Sequence, residues 1–318
     1  MPSQKRSSTP ASTSSHRCDF GAVERDEARW LIRRALVEDL PGEDVTTDTL
    51  FGKEGPGGGR IECHGAFTAR AAGIVCGVPV VEDLFEEAAS GEVGLRTLVP
   101  EGHPVKAGEA FLELRGPPAP ILRLERTALN FLGRLCGIAT LTRSFMDALA
   151  GLPTVLLDTR KTTPAWRNLE KYAVRTGGAK NHRGSLSDGI LLKDNHAGVL
   201  REVGRGDVGE WVEALRRTSP GMFLEVEVDD RQEFLRALDT GVDAILLDNF
   251  STADLRWAVA SRNEAGSGHP LLEASGGMRL EGVREIAETG VDRISVGALT
   301  HSARVLDIGL DLIQARRC

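Results

Sequence analysis

The sequence predicts an α/β protein in two parts: a small α+β layer domain, then an incomplete parallel α/β barrel of about six βα units. From residue 154 onward, short apolar runs alternate strictly with helical stretches, the pattern of a parallel sheet covered by helices. Between residues 60 and 115 the pattern is instead one of strands punctuated by Gly and Pro, with a single short helix. No G-x-G-x-x-G opens the first βα unit, and polar residues close most of the apolar runs. Both favour a barrel with its site at the C-terminal rim over a dinucleotide-binding sheet.

In chain order, residues 1–18 lead, and their first 17 are rich in Ser and Thr, basic and without an apolar segment. A disordered tail is expected there, although transit peptides share this composition. A helix over 26–38 places Ala28, Leu31, Ile32, Ala35 and Leu36 on one face and is closed by Pro41-Gly42. GKEGPGGG (52–59) reads as a loop. Strands are expected at Ile61–Ala66, Gly73–Cys76, Leu95–Val99 and Ala110–Leu114, with a helix near 80–88. Residues 120–149 are strongly helical and bridge to the second part, so the layer domain is drawn over 19–136 and the barrel over 137–301.

The barrel strands are TVLLD (154–158), GILLKD (189–194), FLEVEV (223–228), DAILLD (243–248), LLEAS (271–275) and DRISVG (292–297). Helices are expected near 164–174, 207–218, 231–240, 252–262, 279–289 and 302–315. The last of these, within 302–318, is expected to pack back on the first domain.

Composition narrows the function. The net charge of −7 argues against duplex DNA or anionic membranes as partners, and one Tyr with 5% aromatics argues against base-stacking platforms. No apolar run approaches the roughly 20 residues of a membrane span. The five Cys (18, 63, 76, 136, 318) are odd in number and form no CxxC, which fits a reducing cytoplasm.

Against that acidic background, residues 158–196 carry eight Lys or Arg and four Asp or Glu, a net charge of +4. Arg160 and Lys161 follow the first barrel strand and Lys193 follows the second, so cations gather at strand ends as in a pocket for a small anion. Alternation along FLEVEV puts Glu225 and Glu227 on one face, and the next strand ends in Asp248. The bland alternatives are an ion pair from Glu227 to Lys161 or Lys193, and a helix-capping role for Asp248. Ser275-Gly276-Gly277 and Gly297-Ala298 follow the last two strands, where small residues let backbone N–H groups approach a phosphate; His301 lies four residues past Gly297. Two carboxylates beside a phosphate site suit Mg²⁺, and the cations suit a substrate bearing carboxylates. A Schiff-base enzyme built on Lys193 is the rival chemistry.

Nine segments then stand in a familiar order: EDLPGEDVTTD (38–48), ERTALNFLGRLCGIAT (125–140), DTRKTTP (158–164), NHR (181–183), LLKDNH (191–196), EVEVD (225–229), ILLDN (245–249), EASGG (273–277) and SVGALTHS (295–302). Together they resemble the quinolinate phosphoribosyltransferase family over nearly the whole chain after residue 25. Molybdenum-transport-associated relatives share the RKT and HR motifs, but Lys193 matches the quinolinate enzymes. The resemblance implies a type II phosphoribosyltransferase-like fold and transfer of phosphoribose from phosphoribosyl pyrophosphate to quinolinate, with decarboxylation to nicotinate mononucleotide. It implies a homodimer in which Arg126 reaches the partner subunit's site. Arg160, Lys161, His182, Arg183 and Lys193 match residues that bind quinolinate and the phosphoribosyl donor, Lys161 also being catalytic. Glu227 and Asp248 match the acidic pair near the ribose and Mg²⁺. Ser275, Gly276, Gly277, Gly297 and His301 match the 5′-phosphate site. The chain differs from the family's pattern at Gly184-Ser185 and at Ala165, where Gly is common.

Overall fold

The computed structural model describes residues 19–52, 61–266 and 269–317. The tail expected over 1–18 and nearly all of the loop expected over 52–59 lie outside the described residues. The chain opens with α1 (Ala22–Asp39), which buries Ala28, Leu31 and Ile32, and with the short α2 (Val45–Phe51), whose N-cap Asp44 accepts the Thr47 N–H at 3.0 Å. Then follow β1 (Ile61–Ala69), β2 (Gly73–Ile74), α3 (Val78–Ala89), β3 (Gly94–Thr97), β4 (Pro104–Val105) and β5 (Ala110–Gly116). Phe67, Phe85 and Phe111 are fully buried here, each contributing about 1.5–3 kcal/mol of transfer free energy.

The helix α4 (Pro118–Ala148) runs for 31 residues across the boundary drawn at 136/137, so it belongs to both parts. Beyond it come β6 (Val155–Leu157), α5 (Arg167–Gly177), β7 (Ile190–Leu192), α6 (Asp194–Glu202), α7 (Val208–Thr218), β8 (Leu224–Val228), α8 (Arg231–Leu238), β9 (Ala244–Asp248), α9 (Thr252–Glu264), β10 (Leu271–Ser275), α10 (Val283–Ala287), β11 (Arg293–Ser295), α11 (Ala298–His301) and β12 (Ile308–Arg317).

The six expected barrel strands form one parallel sheet in the order β6-β11-β10-β9-β8-β7. Strands β7 to β11 lie in chain order, and β6, the first strand, pairs with β11, the last. The sheet therefore curls on itself as an incomplete barrel, with a seam between β6 and β7. Across part of that seam runs the segment before β7, where Lys180 makes a parallel bridge to Leu157. That bridge carries the NHR residues to the barrel mouth.

One expectation about secondary structure is corrected. The C-terminal segment expected as a helix within 302–318 is, over Ile308–Arg317, the strand β12, paired antiparallel with β1 at the edge of a sheet ordered β12-β1-β5-β3. Ile308, Leu310 and Leu312 alternate, and the open edge of β1 offers backbone partners that a helix would leave unused. The segment does return to the first domain, but as a strand. To reach it the chain crosses α4 at Gly137, where a Cβ would sit 2.0 Å from the Arg304 carbonyl oxygen. A helix not expected, α6, begins directly after Lys193; its first turn is closed by the Lys193 N–H donating to His196 Nδ1 at 3.0 Å.

Ala165, in the loop between β6 and α5, has φ of +65°, a left-handed conformation that costs an L-residue with a Cβ about 1–2 kcal/mol. The residue is exposed, so its methyl group gains little from packing. Ala165→Gly is expected to raise unfolding free energy by about 0.5–1 kcal/mol in urea titrations; an unchanged or lower midpoint contradicts the strain.

Candidate active site

The C-terminal ends of the barrel strands open into a cavity of about 360 Å³. Eight of the residues singled out from the sequence line it: Arg160, Lys161, His182, Arg183, Lys193, Glu227, Asp248 and Ser275. Each reaches it because a strand ends beneath it, with β6 delivering Arg160 and Lys161, β7 Lys193, β8 Glu227, β9 Asp248 and β10 Ser275. His182 and Arg183 arrive instead on the seam segment.

Two buried anchors hold the cationic wall. Asp158, fully buried, accepts Lys171 Nζ at 2.6 Å and the His182 N–H at 2.8 Å on one oxygen, and Asn181 Nδ2 at 2.8 Å on the other. Lys171 also donates to the His182 carbonyl at 3.0 Å. One carboxylate thus ties the loop after β6 to the seam segment. Glu170 holds the far end of the same loop, accepting Thr163 N at 3.1 Å, Thr163 Oγ1 at 2.8 Å and Arg134 at 2.6 Å. The cations are crowded: burial, and then Arg160 beside it, pull the Arg183 guanidinium below its ordinary value, and Arg160 Nε is buried with no hydrogen-bond partner.

The carboxylates Glu227 and Asp248 line the same cavity. Glu227 pairs with Lys193 Nζ at 2.7 Å, so one of the bland alternatives is realised while both groups still line the cavity. The Lys193 side chain is 45% exposed and ion-paired, the reverse of the desolvation that activates a Schiff-base lysine. Asp248 accepts from Asn249 Nδ2 at 2.7 Å and does not cap α9, whose N-cap is Ser251. Burial, followed by Glu233, Asp194 and Asp248, raises the Asp229 carboxyl, which marks this rim as an excess of negative charge. Glu227 and Asp248 offer the oxygen donors a hard divalent cation prefers, at the ends of adjacent strands, and so fit Mg²⁺.

The remaining expected residues lie beside or outside the cavity. Gly276 and Gly277 line a neighbouring shallow hollow with Asn249 and Phe250. Gly276 has φ of +92°, and a Cβ there would fall 2.2 Å from Asn249 Oδ1, so no other residue fits. Gly297 sits against both Lys161 and His301, each about 3.1 Å from where its Cβ would be. Arg126 is not brought to this cavity; it is exposed on α4, with no hydrogen bond or ion pair among the described residues. Gly184-Ser185 form a tight turn, both N–H groups donating to Asp188 Oδ2 at 2.8 Å.

Sequence reasoning missed Thr159, Glu273 and Ser295 in the lining, and the buried position of Glu225 beneath it. Glu273 was findable, since it precedes Ser275 by two residues on the same strand face. Glu225 is 1% exposed and Glu273 fully buried. Burial, and then the neighbouring Glu225, push the Glu273 carboxyl up to about 7 from an ordinary 4.5. Between those two values the native chain holds a proton that the unfolded chain has released, so this group's contribution to stability falls as pH rises from about 4.5 to 7. Glu273→Gln removes the ionisation. Its unfolding temperature relative to wild type is expected to climb between pH 5 and pH 8, and a pH-independent difference would contradict the assignment.

Known proteins share this architecture. The family description "Quinolinate phosphoribosyl transferase, N-terminal domain" matches residues 44–136, and its C-terminal counterpart matches 138–311. The nicotinate-nucleotide pyrophosphorylase [carboxylating] of Mycobacterium leprae is 41% identical over 298 residues, 93% of this chain and 99% of that one. Quinolinate phosphoribosyltransferase [decarboxylating] 1 of Nicotiana glauca is 37% identical, over 79% of this chain and 74% of that one. The solved nicotinate-nucleotide pyrophosphorylase of Francisella tularensis superposes with a TM-score of 0.81 at 33% identity, covering 90% of this chain and 96% of that one. With both domains matched in order and the strand-end residues gathered at one mouth, the chain belongs to the quinolinate phosphoribosyltransferase family.

Proposed function

We propose that the protein transfers phosphoribose from phosphoribosyl pyrophosphate to quinolinate in a Mg²⁺-dependent reaction, giving nicotinate mononucleotide, pyrophosphate and CO₂. The observation that carries this is the gathering in one cavity of four cations, Arg160, Lys161, Arg183 and Lys193, with two carboxylates, Glu227 and Asp248. A dicarboxylate and a pyrophosphate ester are anions matched to the cations. The developing positive charge at ribose C1 is matched to the carboxylates.

The quinolinate nitrogen attacks C1 as the bond from C1 to the pyrophosphate oxygen breaks. The ring carbon then loses CO₂, keeps the bonding electron pair and takes up a proton. Lys161 and the arginines hold the two carboxylates and steady the negative charge left on the ring. Glu227 and Asp248 would hold Mg²⁺, which when bound neutralises charge on the departing pyrophosphate. Ser275, Gly276, Gly277, Gly297 and His301 receive the 5′-phosphate on the two last loops. No covalent nucleophile is required; positioning and fixed charge carry the reaction.

The family resemblance carries Arg126 to a partner's site in a homodimer; in its own subunit it is exposed and outside the cavity, with no hydrogen bond or ion pair among the described residues. No described helix is long and apolar enough to cross a membrane. Cys63, Cys76 and Cys136 are buried and form no disulfide among the described residues, which supports a cytoplasmic setting.

Purified protein incubated with quinolinate, phosphoribosyl pyrophosphate and Mg²⁺ is expected to form nicotinate mononucleotide by chromatography. Nicotinate in place of quinolinate, or omission of the metal, should abolish product. Glu227→Ala should lower kcat by about 10²-fold or more. Mixing Arg126→Ala with Lys161→Ala subunits should recover activity that neither has alone. Product from nicotinate, or none from quinolinate with folded protein, would overturn the reading.

A further inference from the structure

Beneath the cationic wall, His182, Glu225 and Glu273 bring one side-chain donor atom each to within 4.8 Å of one another. His182 Nε2 lies 3.0 Å from Glu225 Oε2 and 3.5 Å from Glu273 Oε1. Such a trio has two readings: a cation held by three ligands, or a proton on the ring. The other side of the imidazole decides between them. Nδ1 accepts the backbone N–H of Arg183 at 2.8 Å, and an amide does not give up that proton. The lone pair therefore sits on Nδ1 and the ring's single proton on Nε2, facing the carboxylates. A metal on Nε2 would force a proton onto Nδ1, against the Arg183 N–H. The two carboxylates draw the ring toward imidazolium more strongly than burial opposes it, but that second proton would meet the same N–H. The neutral ring is the form this geometry accepts.

We propose that Glu225 is a positioning residue, which holds His182 as the neutral Nε2–H tautomer and through it fixes the backbone of Arg183. The chain of bonds is continuous: the Glu225 carboxylate accepts Nε2–H, and Nδ1 accepts the Arg183 N–H. At its far end the Arg183 guanidinium donates to the Gly189 carbonyl at 3.0 Å, so the residue is held at both ends while it lines the cavity. Glu225 itself does not line the cavity; it acts from the barrel interior. The consequence for substrate rests on the function proposed above: on that reading Glu225 sets affinity for quinolinate through Arg183, without touching it.

Two measurements on the intact protein separate this proposal from that reading. ¹⁵N NMR of the His182 ring, with no substrate present, is expected to show a protonated Nε2 and an unprotonated Nδ1 at pH 7.5. Two protonated nitrogens, or a proton on Nδ1 alone, would overturn the proposal whatever the enzyme's substrate. In kinetics, Glu225→Ala should raise the KM for quinolinate about tenfold or more and change kcat less, while Glu225→Gln, which keeps an acceptor oxygen, should stay within about threefold of wild type. A Gln variant as impaired as Ala would mean that charge rather than the acceptor matters, and would overturn it. If Glu225→Ala does not fold, the spectrum of the wild type and the kinetics of the Gln variant still decide.

Discussion

Asp158 resolves the repulsion among the cations gathered at one cavity. Like charges 4 Å apart cost roughly 4 kcal/mol at an effective dielectric near 20, and two loops bearing Arg160, Lys161 and Arg183 would separate if nothing joined them. Asp158 joins them from below, using both oxygens on Lys171, Asn181 and the His182 N–H. Because the ion pair with Lys171 is almost fully buried, removing either partner would leave an uncompensated charge in the core. The pocket's charge is thus organised by groups that do not face it.

The barrel's open seam makes this arrangement possible. A closed sheet would fill the space between β6 and β7 with a further strand. Here the segment around Lys180 runs alongside β6 for a single bridge and then turns into the mouth, carrying His182 and Arg183 with it. The cations therefore come from both sides of the seam, Arg160 and Lys161 after β6 and Lys193 after β7, while the acids come from β8, the neighbour of β7, and from β9. Strand order thus sets Glu227 beside Lys193, where the two pair, and leaves Arg160, Lys161 and Arg183 at the seam.

Much of this was legible in the sequence because strand ends are legible. Apolar runs closed by Arg160, Lys193, Glu227 or Asp248 state where a side chain emerges, and all four line one cavity. The C-terminal strand was not legible, since its partner β1 lies some 240 residues earlier and local spacing of Leu306, Leu310 and Ile313 also suits a helix. Nor was α6, a short helix of mostly polar residues that buries only Ala197 and so carries little periodic signal. The supporting carboxylates were hidden for a different reason. Asp158 and Lys171 are 13 residues apart on a strand end and a helix, and nothing in that spacing reveals that they meet.

Quinolinate binding to Asp158→Asn, measured by calorimetry beside the wild type, tests most directly whether a buried carboxylate organises the cationic wall. Asn keeps the size of the side chain and an acceptor for the His182 N–H but removes the charge that pairs with Lys171. The wild type is expected to bind, and the folded variant to bind at least about tenfold more weakly, a difference of about 1.4 kcal/mol. Equal affinity would show that the cations hold their places without Asp158.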